Sequence, residues 1–224
     1  MTDRDAMRAA FETILRTNAW GSAESVSGPG SERARAALFQ AEFSALVGRL
    51  GIRSLLDAGC GDLNWIPALD LPLARYVGVD VVPALLVESR RRHGRQGWEF
   101  RSADITCDPL PRVDLVFCRD CLVHLPLADV ARAMDNFGRS GSTWLLATTF
   151  LTRTNVEIGV GDWQPLNLEA APFNLSPPIA LIDERCPPDR GDYSDKRLAL
   201  WRLDAGFSGL LARVGRVPVG GGRP

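Results

Sequence analysis

Leu55-Leu56-Asp57-Ala58-Gly59-Cys60-Gly61-Asp62, with Ile52 just ahead of it, reads as a buried parallel strand that turns sharply beneath a ligand. Glycine suits such a turn because it reaches backbone angles that strain other residues and holds no side chain between the backbone and a ligand. A dinucleotide-binding loop would need a third glycine, Gly-x-Gly-x-x-Gly, and free N–H groups facing a pyrophosphate. Here Leu63 and Asn64 follow instead, and Asp57 and Asp62 flank the glycines. Two carboxylates repel phosphate and favour a ligand that is positively charged at this point.

The segments on either side fit an α/β core. Asp3 to Thr17 spaces Met7, Ala10, Phe11, Ile14 and Leu15 as an amphipathic helix. Residues 20–31 are rich in Gly and Ser and cannot hold a helix; they read as a connecting loop or as a flap in which Trp20 covers a pocket. Ser31, with Glu32 nearby, is expected to cap a helix from about Glu32 to Arg49 that buries Ala37, Leu38, Ala41, Phe43, Ala45, Leu46 and Leu50.

Downstream, strands and helices alternate. Tyr76–Asp80 is a strand ending in a carboxylate 19 residues beyond Gly61, where nucleotide-binding α/β folds place an acid for the ribose hydroxyls; a plain strand-end cap is the competing reading of Asp80. A helix from Pro83 to about Arg92 ends in an arginine cluster that complements its dipole, and His93 belongs to that solvated end. Trp98–Ile105 and Val113–Cys118 are the third and fourth strands, Leu127–Phe137 a helix, and Ser142–Phe150 the fifth strand. A long polar insertion at 152–178 reads as a binding loop, and Ile179–Glu184 and Leu198–Leu203 as a closing antiparallel hairpin.

Composition narrows the class. At 224 residues, 46% hydrophobic and 24% charged, the chain fits one globular domain. A formal net charge of -1 gives no pull toward nucleic acid or an anionic membrane. Lys196 is the only lysine, which with the many alanines suggests a genome of high G+C content. Five cysteines on a chain whose start does not read as a secretory leader point to reduced thiols in a cytoplasm, and no apolar run approaches the ~20 residues that span a bilayer. Cys118, Cys121 and His124 recur every three residues, but a structural zinc takes four ligands and no second cysteine pair exists, so no metal is expected.

On these residues the chain resembles the class I S-adenosylmethionine-dependent methyltransferases. The motif acid-x-Gly-x-Gly at Asp57–Gly61, the acid at Asp80 and the Asp104-Ile105 pair carry the resemblance, which covers about Glu32 to Leu203. It implies a single-domain, Rossmann-like, doubly wound α/β fold with a seven-stranded mixed sheet, order 3-2-1-4-5-7-6, and the last strand antiparallel. The implied domain layout is an N-terminal helix and flap at 1–31, a core at 32–211 holding the 152–178 insertion, and a disordered tail at 212–224.

The resemblance further assigns S-adenosylmethionine to Asp57, Gly59, Gly61, Asp80, Val81, Asp104, Ile105 and Arg119. An acid at position 104 would bond the adenine amino group while Ile105 covers the ring; a turn cap is the alternative for Asp104. Beyond the fourth strand, Arg119-Asp120-Cys121-Leu122-Val123-His124-Leu125-Pro126 stands where amide- and base-methylating relatives carry Asn/Asp-Pro-Pro-aromatic, and it looks more like small-molecule methyltransferases. His124 is the candidate base or substrate ligand, its ordinary pKa near 6.5 suiting that task; alternatively it bonds backbone at a loop-to-helix junction. Asp120 is expected to orient it or bind substrate, unless the Arg119–Asp120 pair is a structural salt bridge. Trp20, Asp162, Trp163 and Asn167 are the candidates for contact with a small acceptor, and the 20–31 and 162–168 stretches look like a bacterial branch of the family that brings no acceptor with it. Two rivals stay open: a cofactor-binding protein without catalysis, and an NAD-dependent oxidoreductase. Oligomeric state and the methylated atom are open as well.

Overall fold

The computed structural model describes residues 3–188 and 191–214. Seven strands form one sheet: β1 (Ser54–Ala58), β2 (Arg75–Asp80), β3 (Trp98–Ser102), β4 (Leu115–Cys118), β5 (Trp144–Phe150), β6 (Ala180–Asp183) and β7 (Lys196–Arg202). Their order is β3-β2-β1-β4-β5-β7-β6. β3 through β5 pair in parallel, while β7 runs antiparallel to both β5 and β6. The order and the inserted antiparallel strand are those expected.

The five central strands are apolar on both faces because both faces are covered, whereas the edge strands β3 and β6 are partly open. Leu56, Val77, Val116, Leu145 and Ala199 share one core with Met7 of α1 (Asp3–Thr17), with Val130, Met134 and Phe137 of α4 (Leu127–Arg139) and with Leu210 of α5 (Leu210–Val214). Their neighbours Leu55, Tyr76, Leu115, Leu146 and Leu198 face the opposite way, onto Phe39, Phe43 and Leu46 of α2 (Arg33–Arg49) and Leu86 of α3 (Pro83–His93). An aromatic cluster anchors α2: Phe43 meets Phe117 at 4.9 Å and Phe39 meets Trp65 at 5.2 Å between ring centroids. Such pairs contribute about 0.5–1.5 kcal/mol each beyond the area they bury.

Four local expectations change. α2 buries Ala36, Phe39, Phe43, Leu46 and Val47, whereas Ala37, Ala41, Ala45 and Leu38 face outward. Its N-cap is Glu32 without a side-chain cap bond; the Arg33 N–H donates instead to Glu24 Oε1 at 2.8 Å, so the cap comes from the preceding loop and not from Ser31. β3 stops at Ser102, which leaves Asp104 and Ile105 on the turn beyond it. Of the tail expected from Ala212, residues 212–214 belong to α5, and 215–224 lie outside the described residues. Among the described residues no helix is long and apolar enough to cross a membrane.

Candidate active site

In an open sheet of this kind a ligand lies past the carboxyl ends of the strands, where the strand order reverses. That point falls between β1 and β4, and a cavity of about 1100 Å³ including its open mouth lies there, lined by the glycine loop, Asp80, Val81, Asp104, Ile105, Arg119, Asp120 and His124. α1 and the 20–31 loop close it from above, through Met7, Phe11, Trp20 and Ser27.

The glycine loop is fully bonded to the protein. Gly59 and Cys60 donate their N–H groups to the Val79 carbonyl at 2.9 and 3.0 Å, Gly61 donates to Asp80 Oδ2 at 3.0 Å, and Asp62 donates to Ser27 Oγ at 3.0 Å. Both glycines have positive φ, +80° and +56°. A Cβ on Gly59 would lie 2.5 Å from Cys121 Sγ, and one on Gly61 would lie 2.1 Å from Ser27 Oγ. Close approach is therefore required here by the protein's own side chains. No N–H from Gly59 to Asp62 is left for a pyrophosphate, which counts against a dinucleotide. Among the described residues the same cavity is lined by five acidic side chains, Asp57, Asp62, Asp80, Asp104 and Asp120, against the guanidinium of Arg119. A cationic ligand such as a sulfonium fits that wall.

Asp57 is buried at the end of β1 and accepts the Tyr76 hydroxyl at 2.5 Å. Burial pushes its carboxyl up to about 7 from an ordinary 3.8, only partly opposed by the Tyr76 bond. The folded chain then holds a proton that the unfolded chain has released across that window, so stability falls as pH rises from about 4 to 7. Asp57→Asn removes this term. Relative to wild type, the variant should gain about 2–3 kcal/mol between pH 5 and pH 8 in urea unfolding. A stability difference independent of pH would show that Asp57 titrates normally.

Asp80 is half-buried, and its carboxylate accepts the N–H groups of Gly61 and Val82 (Oδ1 at 2.9 Å) while lining the cavity. Burial raises its pKa, opposed by those bonds. Each oxygen retains a lone pair for a further donor. Asp104 is buried and bonds the Thr106 N–H (2.8 Å) and hydroxyl (2.6 Å) through Oδ1. It caps its turn and lines the cavity at once, and Ile105 lies beside it.

Beyond Arg119 a second cavity opens, lined by Trp20, Gly30, Phe150, Trp163, Glu184, Cys186, Tyr193 and Lys196 among others. Trp20, Ser27, Arg119, Asp120 and His124 wall both cavities. The second one holds a charge cluster that sequence reading missed. Lys196 Nζ lies 2.7 Å from both Asp120 oxygens and 3.3 Å from Glu184 Oε2. Arg119 reaches Glu184 Oε2 at 2.6 Å and Asp120 at 3.4 Å, and its guanidinium stacks over Phe39. Burial would raise the Asp120 carboxyl, but Lys196 and Arg119 outweigh it and hold it well below the carboxylate range. Lys196 goes up for the reciprocal reason: burial opposes its charge and Asp120 and Glu184 overcome that. The Arg119–Asp120 pair is thus one edge of an ionic cluster. The one available signal for it was the chain's single lysine.

His124 lies on the shared wall with its ring stacked on Trp20, 4.6 Å between centroids. Its Nδ1 is 2.8 Å from the Asp162 carbonyl oxygen. A carbonyl only accepts, so Nδ1 carries the proton and Nε2 the lone pair. Burial lowers the His124 pKa, partly countered by the Asp162 bond. Asp120 makes no hydrogen bond to the ring among the described contacts; the orienting group is the Asp162 main chain.

Of the three residues of the insertion expected at an acceptor site, the structure places one on a cavity wall. Trp163 lines the second cavity, packed edge-on to Phe150 and Tyr193. The Asp162 carboxylate bonds the Gly159 N–H at 3.0 Å and lines neither cavity. Asn167 is buried away from both: its amide donates to the Arg153 and Leu151 carbonyls and its Oδ1 accepts the Glu169 N–H. An irregular segment must satisfy its backbone groups somehow, and these two side chains do that.

Residues 55–140 match a family model described as a methyltransferase domain. No curated protein matches the chain. Among solved structures, it is similar to N-methyltransferase NodS from Bradyrhizobium japonicum WM9 in complex with S-adenosylhomocysteine, at 16% identity over 62% of this chain and 72% of that one, TM-score 0.47. Magnesium protoporphyrin IX methyltransferase from Synechocystis PCC 6803 with bound S-adenosylmethionine gives 17% identity over 69% and 79%, TM-score 0.47. The methyltransferase domain of bacterial CtHen1 gives 15% over 52% and 67%, TM-score 0.46.

Proposed function

We propose that this chain, whose residues 55–140 match a methyltransferase-domain model, is a class I S-adenosylmethionine-dependent methyltransferase that transfers the methyl group to a small-molecule hydroxyl or amine held in the second cavity. The observation that supports this is the shared wall: two cavities meet at Trp20, Ser27, Arg119, Asp120 and His124, one suited to the cofactor and one open to an acceptor.

S-adenosylmethionine supplies an already activated methyl group on a cationic sulfur. What this chain must add is alignment, for which well-oriented reactants gain roughly 7–11 kcal/mol, and a place for the acceptor's proton. Asp80 holds the ribose hydroxyls, Asp104 and Ile105 hold the adenine, and Val81 and the glycine loop complete that side. Arg119 acts through Glu184 and Asp120 rather than by direct grip. Trp20 covers the junction and excludes water. His124 Nε2 takes the proton that the acceptor gives up as its oxygen or nitrogen bonds the methyl carbon and the carbon–sulfur electron pair stays on sulfur.

Calorimetric titration with S-adenosylhomocysteine tests the cofactor side. The wild-type protein should bind in the micromolar range. Asp80→Ala should bind about 100-fold more weakly or worse, because hydrogen bonds to a charged acceptor are worth about 1.5–3 kcal/mol each. Equal affinity in the two proteins would remove Asp80 from the site, and no binding by wild type would remove the whole assignment.

A further inference from the structure

The second cavity has an unsatisfied buried atom. Glu184 Oε2 receives three donors, Arg119 Nε at 2.8 Å, the Arg119 terminal nitrogen at 2.6 Å and Lys196 Nζ at 3.3 Å. Its other oxygen, Oε1, is buried and has no partner among the described residues. Leaving such an acceptor unpaired costs about 1–3 kcal/mol, a cost that a ligand's donor would remove. Glu184 lines the cavity, as do Trp20 and the mutually packed Phe150, Trp163 and Tyr193. Trp163 is 43% exposed, a large aromatic side chain left partly open on the wall of this cavity.

Among the described residues, charge in the chamber is already balanced. Arg119 and Lys196 face Asp120 and Glu184, two cations against two anions, and Arg35 at the rim lies 3.9 Å from Glu32. Among the described residues an ionic acceptor would find no uncompensated partner, and it would lose its hydration.

Resting on the reading of this cavity as the acceptor site, we propose that the acceptor is an uncharged aromatic compound. Its ring lies among Trp20, Phe150, Trp163 and Tyr193, and a hydroxyl or N–H other than the methylated group donates to Glu184 Oε1.

The test uses simple probes on the full chain, by calorimetry with and without S-adenosylhomocysteine: 2-naphthol, 2-methoxynaphthalene, 2-naphthoate and cyclohexanol. 2-Naphthol should bind about tenfold or more tightly than 2-methoxynaphthalene, which has lost only the donor, and more tightly than the naphthoate anion or the non-aromatic alcohol. In Glu184→Gln the preference for the naphthol over its methyl ether should vanish, since an amide can keep its oxygen on Arg119 and turn a donor inward. Trp163→Ala, at a half-exposed position, should weaken 2-naphthol about tenfold with S-adenosylhomocysteine affinity unchanged, and it decides the matter if Glu184→Gln does not fold. Equal affinity for naphthol and ether, preference for naphthoate, cyclohexanol binding as well as naphthol, or no naphthalene binding at all would each overturn the proposal. If S-adenosylhomocysteine binds while the probes are not discriminated, the methyltransferase reading stands and this inference alone fails.

Discussion

His124→Ala should lower kcat by about 10²- to 10⁴-fold with any acceptor that turns over, the range typical of losing a positioned general base. The Asp162 carbonyl fixes the tautomer that leaves Nε2 unprotonated, and burial lowers the pKa, so the ring is neutral and ready to accept a proton at neutral pH. Because the base works in its neutral form, the rate should rise with pH through a midpoint below 6.5 and then level off. S-adenosylhomocysteine affinity is a separate readout that should stay within about threefold, a change of under 1 kcal/mol. A variant that keeps kcat but loses cofactor affinity would assign the ring to supporting Trp20, on which it stacks.

The largest stability loss is expected from Lys196→Met. Removing one member of a buried ion cluster leaves the others uncompensated, at a cost of about 3–5 kcal/mol. Here Asp120 would lose the cation 2.7 Å from both of its oxygens, and Glu184 would keep only Arg119. Urea unfolding at pH 7 measures this directly. Asp120→Leu combined with Lys196→Met should recover part of the loss, since the remaining Arg119–Glu184 pair balances itself. A loss below about 1 kcal/mol in the single variant would mean that solvent in the cavity shields the cluster as it shields surface pairs.

The central strands were legible in the sequence because parallel strands covered on both faces read as apolar runs, while their order followed only from the resemblance carried by Asp57, Asp80 and the Asp104-Ile105 pair. The face of α2 was not. Its alanines scatter around the whole helix, so the pattern is nearly flat, and the side that is buried is chosen by Trp65 and Phe117, which come from other segments. The cap of α2 was hidden for the same reason: Glu24 is nine residues before Arg33, too far for a local capping pattern to show.

In the site, short-range roles were readable and assembled ones were not. Trp20 in a Gly/Ser-rich loop and His124 past a strand end stood out, and the structure brings them into contact. Glu184 and Lys196 looked ordinary because their meaning arises only when β6 and β7 bring them to Arg119 and Asp120. Asp162 and Asn167 misled in the opposite direction. Polar side chains in a long irregular segment look available for a ligand, yet these two bond the segment's own backbone, and the useful atom of Asp162 is its carbonyl oxygen.

The shared wall also divides the molecule into separately replaceable parts. The glycine loop, Asp80, Asp104 and Ile105 all fall inside residues 55–140, whereas Gly30, Phe150, Trp163, Glu184, Tyr193 and Lys196 fall outside that span. A lineage, or an engineer, can therefore exchange the late insertion to reshape the second cavity while the strand-end carboxylates stay untouched, whereas the 20–31 loop, whose Trp20 and Ser27 wall both cavities, has to remain compatible with both, as do Arg119, Asp120 and His124.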